Sequence, residues 1–216
     1  MKYLFALLTA LIVCSFNLQA QDCYVCDDDY ECLYYPTVPF QLGVFPPLQT
    51  TNVDTNVRGL RLNLIYGNNV DVSGLDLGII NRARGNGTGL EIGLLNFVEG
   101  DFSGVQLGLA NCVKGNFYGW QRSYYNEVGG NFYGIQDAII NVTYGDFYGL
   151  QGGWVNYSNN HSGLQAGLLN ISGDVSGVQF GVVNYATSLT GVQIGLLNIQ
   201  TNRTYVKALP LLNINF

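Results

Sequence analysis

Hydrophobic and polar positions recur at a fixed spacing through most of this chain. Between residues 59 and 204 a glycine returns every 15 residues, and later every 14, and in all units but the first an asparagine follows seven positions after it. Residues 191–198 show the unit in full as Gly-Val-Gln-Ile-Gly-Leu-Leu-Asn, and residues 89–96 carry Glu in place of Gln. Self-similarity at one period is the signature of a repeat protein, in which each unit packs on its neighbours.

The alternation inside each unit predicts β-strands. Val, Leu or Ile alternates with Gln or Gly, and polar turns such as Gly-Asp and Gly-Asn separate many of the units. A period of two with β-branched residues and glycine-rich turns is typical of strands, and no window has the i, i+3, i+4 spacing of an amphipathic helix. The sequence therefore predicts an all-β fold.

A β-solenoid is the winding that we favour, with about ten repeats of 14–15 residues between capping strands. Each repeat would form one coil, and the coils would stack in parallel. Equivalent residues of successive coils would then lie one strand spacing apart, about 4.8 Å, so that the asparagine amides form a ladder. The asparagines of this predicted ladder are Asn81, Asn96, Asn111, Asn126, Asn141, Asn156, Asn170, Asn184 and Asn198.

A twelve-strand outer-membrane β-barrel is the alternative. Ten repeats and two flanking strands give the even strand number of such barrels, and residues 212–216 alternate and end in Phe. However, the connections between the predicted strands all have one length, whereas membrane barrels combine short turns with long loops. Arg122 would also face lipid, at a cost of about 2–4 kcal/mol near the bilayer centre. Both points favour the solenoid.

The ends of the chain differ from the repeats. Residues 1–20 predict a secretory signal peptide, with Lys2 before an apolar stretch and a cleavage site after Ala20. We divide the remainder into an acidic, cysteine-containing segment (21–37), an N-terminal cap strand (38–58), the repeat array (59–204) and a C-terminal cap strand (205–216), because repeat arrays need atypical ends. The protein is therefore expected to be exported.

Charge and composition narrow the expected function. Lys and Arg number 9 against 15 Asp and Glu, the net charge is −6, and charged residues make up only 11 % of the chain. An acidic chain without basic clusters is a poor partner for nucleic acid. The single histidine, His161, lies in a polar turn and is expected to be solvated. No nucleophile–base motif, phosphate-binding loop or metal-ligand spacing is found, so we expect no enzymatic activity, metal or cofactor.

Three cysteines cluster in the acidic segment. Cys23, Cys26 and Cys32 lie among aspartates that would suit a metal site, but an oxidising compartment favours at least one disulfide among the three. Cys112 lies alone, at a repeat position that Phe97 and other apolar residues fill elsewhere. We therefore expect Cys112 to be a small core residue.

The repeat is least regular in its middle, where the sequence predicts a candidate site. If the coils stack in parallel, Arg122 and Asp137 are neighbours. One hypothesis is a recess in which the two tryptophans stack a ligand such as a sugar and the charged pair bonds it. The other is a compensated core defect, a buried ion pair whose extra volume is accommodated by the neighbouring Gly152. The Phe-Tyr pairs at 117–118, 132–133 and 147–148 are expected to form aromatic ladders that fill the solenoid, with a binding strip as the alternative. The candidate ligand-binding residues are Trp120, Arg122, Tyr124, Asp137 and Trp154.

The repeat units and both ends of the array carry a family resemblance. The units above, residues 59–67 (Gly-Leu-Arg-Leu-Asn-Leu-Ile-Tyr-Gly) and residues 209–216 (Leu-Pro-Leu-Leu-Asn-Ile-Asn-Phe) resemble bacterial surface repeat-containing proteins of the type first labelled in leptospires. The resemblance covers roughly residues 40–216. It implies a secreted, surface-located protein of a double-membraned bacterium, but it supplies no activity.

Together these observations predict a secreted, non-enzymatic β-repeat surface protein with a structural or adhesive role. An outer-membrane barrel or channel is the alternative function, and a carbohydrate-binding module at the central repeats is a third. The partners that fit these hypotheses are the outer membrane, a second copy of the chain or surface glycans.

Overall fold

A computed structural model describes residues 35–216, which form a β-solenoid of about nine turns. The predicted fold class is confirmed, because this part of the chain consists of strands and turns without a helix. The predicted signal peptide and the disulfide candidates Cys23, Cys26 and Cys32 lie outside the described residues.

Fourteen strands make up residues 35–216. They are β1 (Thr37–Phe45), β2 (Leu48–Gln49), β3 (Asn56–Asn69), β4 (Val72–Ala83), β5 (Gly87–Ile92), β6 (Leu95–Val98), β7 (Phe102–Leu107), β8 (Ala110–Val113), β9 (Phe117–Arg122), β10 (Tyr125–Val128), β11 (Phe132–Asp137), β12 (Ile140–Gly152), β13 (Val155–Gln200) and β14 (Ala208–Asn215).

Each regular turn contributes one strand to each of two parallel stacks. In the turn of residues 102–113, β7 pairs with β5 and β9, and β8 pairs with β6 and β10. Equivalent residues of successive turns lie side by side, as Gln106 does with Gln121. The twelve-strand barrel alternative is wrong, because its neighbouring strands would be antiparallel, whereas the pairings from β3 to β13 are parallel.

The repeat glycine is required by the backbone of the turn. Ten glycines, from Gly59 to Gly191, have φ between 114° and 147°, a conformation that L side chains rarely adopt. At Gly134 an added Cβ would lie 2.0 Å from the carbonyl oxygen of Gly119 in the turn before. Any side chain here would collide with the neighbouring turn, so the spacing of the glycines follows from the winding.

The predicted asparagine ladder is confirmed and lies inside the solenoid. Nδ2 of Asn141 donates to Oδ1 of Asn156 at 2.9 Å and to the carbonyl oxygen of Gly152 at 2.6 Å. Each asparagine from Asn81 to Asn184 makes the same bond to the next asparagine along the chain, and all nine side chains are buried. The ladder satisfies amides that would otherwise be costly to bury.

A second amide ladder runs in the opposite direction. Nε2 of Gln136 donates back to Oε1 of Gln121 at 3.0 Å, and the bond repeats from Gln121 to Gln193. Asn213 of the C-terminal strand adds a final donor, bonding Oε1 of Gln193 at 2.7 Å. Because the two ladders point their donors towards opposite ends, their amide dipoles oppose each other.

An aromatic column fills the interior beside these ladders. Phe102, Phe117, Phe132 and Phe147 stack with ring centroids 4.8–5.3 Å apart, and all four are buried. His161 continues the column, with its ring centroid 5.0 Å from that of Phe147. The expectation that His161 is solvated is wrong, since its exposed fraction is only 1 %.

Strands outside the repeat cover both ends of the solenoid. β1 lies parallel to β3 below the first turn, and the short β2 folds back antiparallel onto β1. At the other end β14 lies antiparallel to the last turn, which places Asn213 opposite Gln193.

Candidate functional site

The outward-facing side chains of the solenoid are mainly apolar. The clearest line of them lies at the second corner of each turn, five positions after each corner glycine, and we call it the corner row. Nine of its ten side chains have exposed fractions of 41–67 %. Aligned apolar side chains of this kind form a patch typical of an interaction surface. The corner row consists of Leu64, Ile79, Leu94, Leu109, Tyr124, Ile139, Trp154, Leu168, Val182 and Leu196.

A shallow apolar groove extends this surface at the N-terminal end. The groove has a volume of about 810 Å³ and lies between the cap strands β1 and β2 and the first two turns. Leu64 and Ile79 of the corner row form part of its wall, together with Leu42 and Leu48 of the cap strands. The apolar surface is therefore continuous from the cap onto the repeats.

The structure brings Arg122 and Asp137 together, as the parallel hypothesis required. The two residues are paired in register on β9 and β11, with Nε of Arg122 3.3 Å from Oδ2 of Asp137. Their side chains are 61 % and 48 % exposed, so the hypothesis of a buried ion pair is wrong. The cause is the direction of the strand face, since the third position after each glycine points outwards rather than into the core.

The outer face of the solenoid lacks large apolar side chains at this ion pair and at the two positions that follow it in register. Gly152 follows Asp137 in register, and Ala166 follows Gly152. A Cβ at Gly152 would meet only Oδ1 of Asp137, at 3.9 Å, so the space above it is open. We call Arg122, Asp137, Gly152 and Ala166 the polar notch, because equivalent positions elsewhere carry Leu, Ile or Phe.

The predicted aromatic residues divide between two places around the notch. Trp120 is exposed on β9, on the same face as Arg122. Tyr124 and Trp154 are also exposed but belong to the corner row, two turns apart, which is about 10 Å along the axis at the usual strand spacing. The five candidate residues therefore do not converge on one place: three lie on β9 and β11, and two lie in the corner row.

The Phe-Tyr pairs also divide between inside and outside. The phenylalanines fill the interior as expected, but Tyr118, Tyr133 and Tyr148 are exposed. Their rings stack on the outer surface with centroids 4.9–5.0 Å apart. The expectation that both residues of each pair fill the solenoid is therefore wrong for the tyrosines, since adjacent residues of a strand point to opposite faces.

A buried charged network, which was not predicted from the sequence, begins the glutamine ladder. Arg61 is fully buried, and its Nε lies 2.8 Å from Oδ1 of Asp76 while its Nη2 lies 2.5 Å from Oδ2. Its Nη1 donates to Oδ1 of Asn69 at 3.2 Å and to the carbonyl oxygen of Arg82 at 2.9 Å. The signal was present in the sequence, where three successive repeats carry a charge at the glutamine position.

Glu91 joins this network to the ladder. It accepts a hydrogen bond from Nε2 of Gln106 at 2.7 Å and is buried next to Asp76. Burial, followed by repulsion from Asp76, raises the pKa of Glu91 to about 8. Glu91 therefore keeps its proton at neutral pH, while Asp76 makes the ion pair with Arg61.

Cys112 does not lie in the core, contrary to expectation. It is on the outward face of β8, only partly buried, and is disulfide-bonded. Partly buried Phe97 and Val142 lie near it on the same outer face. Cys112 does occupy the repeat position of Phe97 and Val142, but in this fold the side chains at that position face outwards.

Within residues 35–216, no helix is long and apolar enough to cross a bilayer. The same residues contain no group of three or more His, Cys, Asp or Glu side chains arranged to hold a metal ion. Comparison of the chain with protein-family models, curated proteins and solved structures gives no match.

Proposed function

We propose that this protein is an exported, non-enzymatic element of a bacterial cell surface, with a structural or adhesive role exerted through the corner row. The observation that supports this role most directly is the line of exposed apolar side chains along the turns. Covering such a line removes apolar area from water, at a gain of about 25 cal/mol per Å².

The interior supports the same proposal by making the solenoid rigid. Two amide ladders and a stacked phenylalanine column connect successive turns. A surface held by such ladders loses little conformational entropy when it binds, which favours association. The protein would thus present a preformed apolar strip to a partner surface.

Export and surface location are the second part of the proposal. The segment 1–20 has the features of a signal peptide, and residues 40–216 resemble surface repeat proteins. Adding protease to intact cells of the native bacterium should degrade the protein, while a periplasmic marker stays intact. Degradation only after the outer membrane is opened would contradict the surface location.

The contact role of the corner row is tested with paired variants in two successive turns. Replacing Leu94 and Leu109 together by Lys should weaken adhesion to an alkyl-coated surface by at least tenfold. Any self-association that depends on protein concentration, measured by sedimentation velocity, should weaken by the same factor. The double variant Thr88→Lys and Ser103→Lys is the matched control, because Thr88 and Ser103 are exposed and paired in register on the same two turns but lie outside the corner row. Equal behaviour of the double variant and the control would contradict the adhesive role.

Carbohydrate binding at the polar notch is a second candidate function. It is favoured by the exposed Arg122–Asp137 pair, which offers hydrogen-bonding groups beside the exposed ring of Trp120. A glycan screen followed by calorimetry should find a ligand whose affinity falls at least tenfold in Trp120→Ala. Leu90→Ala removes an exposed apolar side chain from the equivalent position two turns away and should leave affinity unchanged.

A further inference from the structure

The disulfide of Cys112 connects the solenoid to a part of the chain outside the described residues. Cys112 is disulfide-bonded, and the other cysteines of the chain are Cys14, Cys23, Cys26 and Cys32. All four precede Tyr35, where the described structure begins. Cleavage after Ala20 would remove Cys14, which leaves three candidate partners in residues 21–34.

The surface around Cys112 is buried more deeply than its place in the fold explains. Ala110 and Tyr125 point outwards from β8 and β10, yet their exposed fractions are 2 % and 3 %. Val155, Leu169 and Val183, at the equivalent position of other inner repeats, are only partly buried. β8 pairs only with β6 and β10, which lie beside it in the sheet and not above it.

These residues form one apolar cluster, which we call the Cys112 patch. Tyr125 belongs to this cluster, and its hydroxyl donates a hydrogen bond to Oε2 of Glu127 at 2.5 Å. Burial raises the pKa of this hydroxyl, as expected for a phenol withdrawn from water. The Cys112 patch consists of Leu95, Phe97, Ala110, Cys112, Tyr125, Ile140 and Val142.

The length of chain between each candidate cysteine and Tyr35 decides which of the three can reach Cys112. Four strand steps lead from Val38 through Val57, Val72 and Gly87 to Phe102, in the turn that carries Cys112. Four steps are about 19 Å along the axis. The three residues from Cys32 to Tyr35 span at most about 11 Å, and the Cα atoms of a disulfide lie at most about 7 Å apart. Cys32 is therefore too close to Tyr35 to bridge the gap.

Cys26 and Cys23 have enough chain to reach Cys112. They precede Tyr35 by nine and twelve residues, which span about 30 Å or more when extended. The segment that would follow this path carries apolar side chains suited to the patch, including Tyr24, Tyr30 and Leu33.

We propose that residues 21–34 run back along the outside of the solenoid and cover the Cys112 patch, fixed there by a disulfide between Cys112 and Cys23 or Cys26. The inference rests on the proposed export, which supplies an oxidising compartment. The disulfide forms by exchange: two cysteine thiols lose their protons, and a disulfide oxidant accepts the electron pair and becomes a dithiol.

Peptide mapping tests the connection without depending on export. The chain from residue 21 is refolded in a mixture of oxidised and reduced glutathione, its remaining thiols are blocked, and it is digested without reduction. Trypsin should leave residues 85–114 linked to residues 21–58, as the positions of Lys and Arg dictate. Further cleavage after Glu31 and after Tyr24 separates the three candidate cysteines.

A link from Cys112 to Cys23 or Cys26 supports the proposal. A link to Cys32, a link between two chains, or a Cys112 thiol that has been blocked would overturn it. Because refolded protein is used, failure here is distinguishable from failure of the exported location, which the protease experiment on intact cells tests separately.

A matched pair of variants tests coverage of the patch. Cys112→Ser should keep the far-ultraviolet circular dichroism of the folded chain, while nitration of Tyr125 and protease cleavage within residues 21–34 become at least tenfold faster. Cys32→Ser should change neither rate by more than about twofold, since it leaves the proposed link in place. Unchanged rates in Cys112→Ser would show that the segment does not cover the patch.

Discussion

Arg122 and Asp137 lie on adjacent turns with Nε and Oδ2 3.3 Å apart, yet both side chains are about half exposed. Solvent screens such a pair, so the two charges should be coupled only weakly, by about 0–1 kcal/mol. A double-mutant cycle in urea with Arg122→Leu and Asp137→Leu measures this coupling. A coupling of about 3–5 kcal/mol, as in a buried pair, would contradict the exposed geometry.

The asparagine ladder should contribute measurably to stability. Asn141→Ala removes the hydrogen bond that Asn141 donates to Asn156. It also removes the bond that Asn141 accepts at 3.1 Å from Nδ2 of Asn126. We expect the free energy of unfolding to fall by about 1–3 kcal/mol, the usual cost of leaving buried polar groups unpaired. Asn159→Ala is the control, since Asn159 is exposed on β13, outside the ladder, and its replacement should have little effect.

Glu91 should make the protein less stable as the pH rises. Its pKa is raised to about 8 in the folded state, above the value of 4.5 for an unburied carboxyl. Its stabilising contribution is therefore complete below about pH 4.5 and is lost as the pH rises through 8, at about 1.4 kcal/mol per pH unit. Glu91→Gln also extends the glutamine ladder, so this variant should gain stability relative to the native chain between pH 5 and about 8.

Thermal unfolding of both proteins across this pH range measures the difference. Asp174→Asn provides a control, because it removes one carboxylate from an exposed corner. If the melting temperatures of Glu91→Gln and the native chain stay parallel from pH 5 to 9, then Glu91 does not keep its proton when buried.

His161 should have the opposite dependence on pH. Burial lowers the pKa of His161 to about 4 in the folded state, and a backbone contact with Leu164 opposes this shift only in part. Neither ring nitrogen makes a hydrogen bond of ordinary geometry. As the pH falls, the imidazole is therefore protonated in the unfolded chain before it is protonated in the folded one. The contribution of His161 to the free energy of unfolding is complete above about pH 6.5 and is lost as the pH falls towards 4.

His161→Phe removes this titration and continues the phenylalanine column. We expect the variant to gain about 3 kcal/mol over the native chain between pH 7 and pH 4, from the size of the pKa shift. Denaturant unfolding at the two pH values measures the gain. A constant difference between the two proteins would show that the imidazole is hydrated.

The sequence by itself determined the winding of the solenoid. Glycines at a constant spacing imply that every turn has the same backbone, and Gly134 shows why, since a side chain there would collide with Gly119. Asparagines at the same spacing favour an arrangement in which like stacks on like, which parallel turns provide at every repeat and an antiparallel barrel does not explain. The winding therefore follows from the spacing of these residues, and that spacing is fully visible in the sequence.

Only the tertiary structure decided which face of each strand is inside. A period of two shows which residues share a face, but not which face is buried. Here the repeat glutamines and asparagines lie inside, because ladders along the axis give their amides hydrogen-bond partners in the neighbouring turns, and the leucines of the corner row lie outside. For the same reason Arg122 is exposed, Cys112 faces outwards, and His161, whose neighbours in sequence are polar, is buried beneath Phe147. The burial of a side chain in this protein depends on what the turns above and below place against it, and that is decided only when the turns stack.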